Sequence, residues 1–171
     1  EASLTGHLVL STLHTNSAVE TVIRLLDLGC DPFNFADAMQ GILAKRLCKR
    51  ICTHCKETYH PSMQDYDKIL REYGPSSWDT MKLPAYDDGF RLYRGRGCDH
   101  CRQTGFKGRV ALHELMRGTD EMKTLIQNRA KTADMTSLAK KEGMITLMQD
   151  GILKALGGLT TFEQVRAIAM K

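Results

Sequence analysis

The chain has 171 residues, 42% of them hydrophobic and 26% charged, with a formal net charge of +4. That is enough chain to bury a core without disulfide staples, and the composition is that of a folded soluble protein, which excludes a disordered one. No apolar run is long enough for a membrane span. Glu1-Ala2-Ser3 opens the sequence with neither a signal peptide nor an initiator methionine, so the chain reads as a fragment. Without a secretory signal, the six cysteines read as metal ligands or core thiols, not disulfides.

In chain order, Leu8-Val9-Leu10-Ser11-Thr12-Leu13 is a short apolar run that predicts a buried strand. Ser17 with Glu20 three residues later is a capping-box helix start. Val19, Val22, Ile23 and Leu26 then follow the helical period up to Gly29. After Asp31-Pro32, a second helix is expected to carry Phe35, Met39, Ile42 and Leu43 on one face. Residues 1–47 thus read as strand–helix–helix. A lone strand leaves its backbone edges unpaired, so its sheet partners are expected upstream of the chain.

Residues 48–115 read as irregular and rich in Gly, Arg and Cys, interrupted by a helix capped at Ser62 and carrying Tyr66, Ile69, Leu70 and Tyr73. Gly74-Pro75-Ser76-Ser77 is expected to end that helix, and short strands are expected at 90–94 and 109–112. Residues 116–171 read as four helices: one capped by Thr119, one ending near Gly143, one from Leu147 to Leu156, and one capped by Thr161 with Gln164. The expected architecture is therefore an α/β segment, a small irregular metal-binding subdomain and an α-helical subdomain.

Cys52-Thr53-His54-Cys55 and Cys98-Asp99-His100-Cys101 are two C-x-x-C knuckles with positions 56–97 between them. Two knuckles close a tetrahedral four-thiolate site, and closed all-thiolate sites are structural zinc sites. Metal binding would supply folding energy that a loop-rich segment lacks. The alternatives are unrelated cysteine pairs or a dithiol redox site. Cys48 could compete as a ligand, whereas Cys30 reads as a small buried hydrophobe. Basic residues flank the knuckles, among them Lys49, Arg50, Lys56, Arg94 and Arg109. They either offset the thiolate charge together with backbone N–H groups or dock an acidic partner or anionic lipid. Aromatic residues are only 6% and do not interleave with the cations, which argues against base stacking on nucleic acid.

His14 falls at the C-terminal end of the expected strand, where ligands of α/β sheets bind. It reads either as a capping or core histidine or as one that positions an anion such as a γ-phosphate. No G-x-x-x-x-G-K-[ST] occurs, so the chain has no phosphate loop of its own.

The segment from Thr5 to Asn16, with Arg24-Leu25-Leu26-Asp27 and Asp31-Pro32-Phe33, resembles the secretion-superfamily ATPases that power type II secretion and type IV pilus assembly. The run Ala44-Lys45-Arg46-Leu47 before the first knuckle fits the same family, although the family more often has Gln at position 45. So do Gly97-Cys98 through Gly108-Arg109 leading into His113-Glu114-Leu115, and the stretch from Thr160 to Val165.

The resemblance implies that 1–47 is the end of a RecA-like ATPase core, 48–115 a tetracysteine zinc subdomain with ligands Cys52, Cys55, Cys98 and Cys101, and 116–171 a helical subdomain. It makes His7 and His14 the two histidines of the family's histidine box, with His14 proximal to the nucleotide. The parent would be a cytoplasmic hexamer, peripheral to the bacterial inner membrane, using ATP and Mg. Its partners would be its neighbouring subunits, its own upstream core and an inner-membrane platform protein. The phosphate loop would lie upstream, leaving this chain inactive alone. A free-standing zinc-ribbon module for nucleic acid and a thiol-redox protein are the competing readings.

Overall fold

The computed structural model describes residues 2–169. Its helices are α1 (Ala18–Asp27), α2 (Pro32–Ala38), α3 (Met63–Tyr73), α4 (Pro75–Thr80), α5 (Asp120–Gln127), α6 (Thr132–Lys141), α7 (Leu147–Leu156) and α8 (Phe162–Ala169). The strands are β1 (Gly41–Ile51), β2 (Lys56–Tyr59), β3 (Leu92–Gly95) and β4 (Phe106–Arg117). β1 pairs with β4, and β2 pairs antiparallel with β3 in the register Lys56 to Gly95. The fold is mixed α/β. Among the described residues, no helix is long and apolar enough to cross a membrane.

The chain gathers into two compact units, each built from two separate stretches. The first joins the residues up to Ala44 with Glu114–Thr146, and the second joins Lys45–His113 with the residues from Leu147 onward. These units cut across the consecutive segments 1–47, 48–115 and 116–171 read from sequence. The reason lies in where amphipathic faces find a core. Met122 and Ile126 of α5 and Met135 and Ala139 of α6 bury against Val19, Val22 and Leu26 of α1. Ile152 of α7 and Phe162 of α8 instead bury with Tyr66, Ile69, Trp78 and Leu92.

Within the first unit, α1 begins as its sequence dictates. Ser17 Oγ accepts from Glu20 N–H at 3.1 Å, and Glu20 Oε2 accepts from Asn16 N–H at 2.8 Å. Gly29, at φ +90°, supplies the left-handed residue that stops the helix. Five methionines in this core, Met39, Met116, Met122, Met135 and Met144, fill an irregular space with adaptable side chains.

Two expectations for this unit need correction. Leu8–Leu13 is not a strand and is not buried: Leu8 is 82% and Leu10 89% exposed. Among the described residues no strand pairs with it, so its apolar side chains have neither a ladder nor a facing layer. The second helix stops at Ala38, because Met39 turns to ψ 120°. Ile42 and Leu43 therefore lie in β1, where alternation turns Ile42 inward and leaves Leu43 exposed.

In the second unit, α3 is capped by Ser62, whose Oγ accepts from Asp65 N–H at 3.2 Å. Gly74-Pro75 ends α3 but also starts α4, with proline in the first turn, where its missing N–H costs nothing. Tyr66, Tyr73, Trp78 and Phe90 pack edge to face, with centroids 5.1–5.7 Å apart. α7 and α8 approach closely at Gly151, where any Cβ would overlap Val165.

Candidate metal centre

Each knuckle is delivered by a strand end. Cys52 follows β1 directly, and its N–H donates to Gly105 O at 2.9 Å. Cys55 precedes β2, and its carbonyl accepts from Arg96 N–H at 3.0 Å. These two cross-ties hold the first knuckle against the chain that carries the second. Gly95 and Gly105 make the approach possible: a Cβ on either would overlap the other's carbonyl oxygen.

The second knuckle is a tight turn that wraps its own sulfur. Asp99–Cys101 form a single 3-10 turn, and Cys98 N–H donates to Cys101 Sγ at 3.2 Å. Arg102 and Gln103 then take left-handed backbone at φ +53° and +62°, a conformation that costs energy for non-glycine residues. This brings Gly105 N–H to 3.2 Å from the same sulfur.

The four sulfurs converge. Cys52 Sγ lies 3.9 Å from Cys98 Sγ, Cys55 Sγ 3.8 Å from Cys101 Sγ, and Cys98 Sγ 3.7 Å from Cys101 Sγ. All four lie within 4.8 Å of one another. A tetrahedron with Zn–S bonds of about 2.3 Å has S···S edges of about 3.8 Å, so the donor set fits a four-thiolate ion. Cys52, Cys55 and Cys101 are buried, and Cys98 is half-buried.

The surroundings split the thiols. Burial pushes Cys55 up to about 12, with the neighbouring thiols adding to it and Gly97 N–H opposing it. Burial also resists ionisation of Cys101, but the amides of Cys98 and Gly105, with the thiols of Cys98 and Cys55, outweigh it and bring Cys101 to about 6. Among the described residues, backbone N–H groups contact the sulfurs: Gly97 to Cys55 at 3.3 Å, besides the two on Cys101. Arg94 instead bonds Glu57 at 2.8 Å, and Lys56 lies over the Tyr93 ring at 4.3 Å.

Cys48 stays outside the cluster; its thiol donates to Val110 O at 3.6 Å and Thr160 Oγ1 at 3.5 Å. Cys30 is half-buried and free. One feature of the centre went unread in the sequence: His54 and His100, third in their knuckles, stack at 3.9 Å with 13° between ring planes, both exposed. Their matched position within the two C-x-x-C motifs was the available signal.

His7 and His14 are both exposed. His7 Nδ1 lies 3.2 Å from Thr5 Oγ1 and 3.2 Å from Ala2 O. His14 immediately precedes Thr15, whose Oγ1 is 2.6 Å from Thr21 Oγ1. Among the described residues, neither histidine joins a group of three or more metal-ligating side chains.

A family model described as type II/IV secretion system protein matches residues 1–167. The chain is 43% identical over 167 residues to the type IV pilus assembly ATPase PilB of Thermus thermophilus, covering 98% of this chain and 18% of that protein. It is 41% identical over 165 residues to the type II secretion system protein E of Pseudomonas aeruginosa, covering 96% of this chain and 30% of that protein. Against the type IV pilus assembly ATPase TfpB of Acinetobacter baylyi it is 40% identical over 165 residues, covering 96% of this chain and 26% of that protein. The chain thus spans less than a third of the length of these relatives.

Proposed function

We propose a role from one premise: the chain belongs to the type II/IV secretion system protein family. It is the C-terminal portion of a hexameric ATPase that powers type II secretion or type IV pilus assembly from the cytoplasmic side of the inner membrane, working against a membrane platform protein. The observation that carries this reading is a family match that runs through the histidine segment and both knuckles alike. A free-standing nucleic-acid module is not favoured, because the likeness extends far beyond the cysteines.

In this reading residues 1–47 end a RecA-like core, 48–115 form the cysteine-bearing subdomain and 116–171 the helical tail; these are functional segments, not compact bodies. ATP and Mg are held by residues upstream. Phosphoryl transfer needs a backbone cradle, a lysine and a held Mg²⁺, and the sequence has no phosphate-loop motif to build that cradle, so this chain alone turns over no ATP. His14 is a supporting group: a ring N–H donating one hydrogen bond to the γ-phosphate or its attacking water. His7, bonded to Thr5 and Ala2 on the exposed stretch, takes no part in the chemistry.

Cys52, Cys55, Cys98 and Cys101 hold one structural zinc. When bound, the ion supplies folding energy to a segment with little core of its own. The chain's own part is to preorganise the sulfurs with three backbone N–H donors and to close the site to a fifth ligand.

The test is steady-state ATP turnover. The full-length ATPase is expected to be active and this chain inert, with His14→Ala lowering kcat more than it weakens nucleotide binding. Substantial turnover by the 171-residue chain would sink the reading.

A further inference from the structure

The motif His113-Glu114-Leu115 lies in β4, apart from the cysteine cluster. Glu114 sits on the inward row of β4, between Leu112 and Met116, both fully buried, and is itself only 5% exposed. A carboxylate in an apolar row is costly unless it is hydrogen-bonded. A hydrophobic side chain of similar size would serve packing as well or better. Fold stability alone therefore does not explain an acid at this position.

Its bond does. Glu114 Oε1 accepts from the backbone N–H of Ala18 at 2.8 Å. Ala18 is the first residue of α1 and is fully buried, so water cannot satisfy that N–H. Two neighbouring donors are taken locally, Glu20 N–H by Ser17 Oγ and Asn16 N–H by Glu20 Oε2. Thr15 Oγ1 bonds Thr21 Oγ1. The chain from Thr15 to Thr21 is thus tied down, while the stretch before it is exposed and outside any sheet. His14 stands at that border. With two carboxylates on it, the start of α1 is also a poor seat for a phosphate, which leaves the His14 side chain as the group to meet one.

We infer that Glu114 is a positioning residue: its buried carboxylate fixes the start of α1 and, through four residues of backbone, the place of His14. This rests on the reading of His14 as nucleotide-proximal.

The test uses Glu114→Met, which removes the acceptor but keeps the volume and suits the apolar row, and Glu114→Gln, whose amide oxygen can still accept from Ala18. Both are made in the full-length ATPase beside His14→Ala. Hydrogen exchange over 14–21, ATP kcat and KM, and the cooperativity of melting are measured. Glu114→Met is expected to melt cooperatively, to exchange faster over 14–21, and to lose about tenfold in kcat with KM nearly unchanged. Glu114→Gln is expected to restore both exchange and kcat, an outcome that packing alone would not give. Unchanged exchange in a cooperatively melting Glu114→Met overturns the anchor. Faster exchange with normal kcat, while His14→Ala lowers kcat, overturns the positioning role and leaves the nucleotide reading intact. Normal kcat in His14→Ala overturns that reading itself, and the positioning role falls with it.

Discussion

Residues 52–55 and 98–101 bring four sulfurs within 4.8 Å of one another, whereas residues 7–14 carry two imidazoles along an exposed stretch that pairs with no strand among the described residues. Both regions are dense in chemistry-bearing residues, and they differ in what completes them. The knuckles meet because glycines, backbone cross-ties and left-handed turns in this chain force them together. The histidine segment is held at its two ends, by the turn Ala2–Thr5 that His7 bonds and at α1, where Ser17, Glu20 and Glu114 hold the backbone, and is open between them. A site closed by its own chain reports its ligand directly. A site left open along its length is defined by the points from which it hangs.

The comparison breaks most sharply on metal removal. Purified with zinc, the chain is expected to hold one ion by native mass spectrometry, and Cys52→Ser to lose it. Chelation should strip exchange protection from the knuckles and reduce it in α7 and α8, while α5 and α6, which share a core with α1, keep theirs. Equal loss in α5 and α6 would contradict the independence of the two cores. A chain equally stable without metal would remove the zinc assignment.

Next in size, Gly95→Ala or Gly105→Ala should cost about 3 kcal/mol in chemical denaturation and lower zinc affinity, since either Cβ drives backbone from backbone where the knuckles are tied. Ser17→Ala should cost about 1 kcal/mol through the lost helix cap and quicken exchange at the start of α1. Smallest, His7→Ala and His14→Ala should each change the stability of this chain by less than about 0.5 kcal/mol, as expected of exposed side chains. A large loss in either would mean that the histidine segment is built into the core after all.

Legibility followed the same divide. The knuckles could be read because two residues of spacing already place two thiolates on one ion. Ser17, Ser62, Thr119 and Thr161 could be read as caps because a cap is a local bond, and each accepts the expected N–H. β1 could not. Ile42 and Leu43 continue the spacing of Phe35 and Met39, so a helical reading extended past Ala38, while the strand's partner lies far along the chain, with Cys48 bonded to Val110. The strand expected at Leu8–Leu13 failed for the opposite reason. Its residues favour a strand, but a strand needs a neighbour and none of the described residues provides one. α4 was missed although Pro75 announces it, because a Gly-Pro pair signals an end as readily as a beginning.

The discontinuous make-up of the two units sets an order on synthesis. As the chain leaves the ribosome, α1 and α2 emerge with their apolar faces open, and the residues that cover them, from Met116 to Met144, follow only after the whole stretch Lys45–His113. That stretch in turn waits for Ile152 and Phe162. Neither core can close on a nascent chain that stops short of α5, so α1 and α2 stay uncovered by those residues until α5 emerges. The four cysteines are the exception, since all have emerged by residue 101 and their cross-ties by residue 105. Metal capture can therefore precede the closing of both hydrophobic cores and fix the knuckles while those cores are still open.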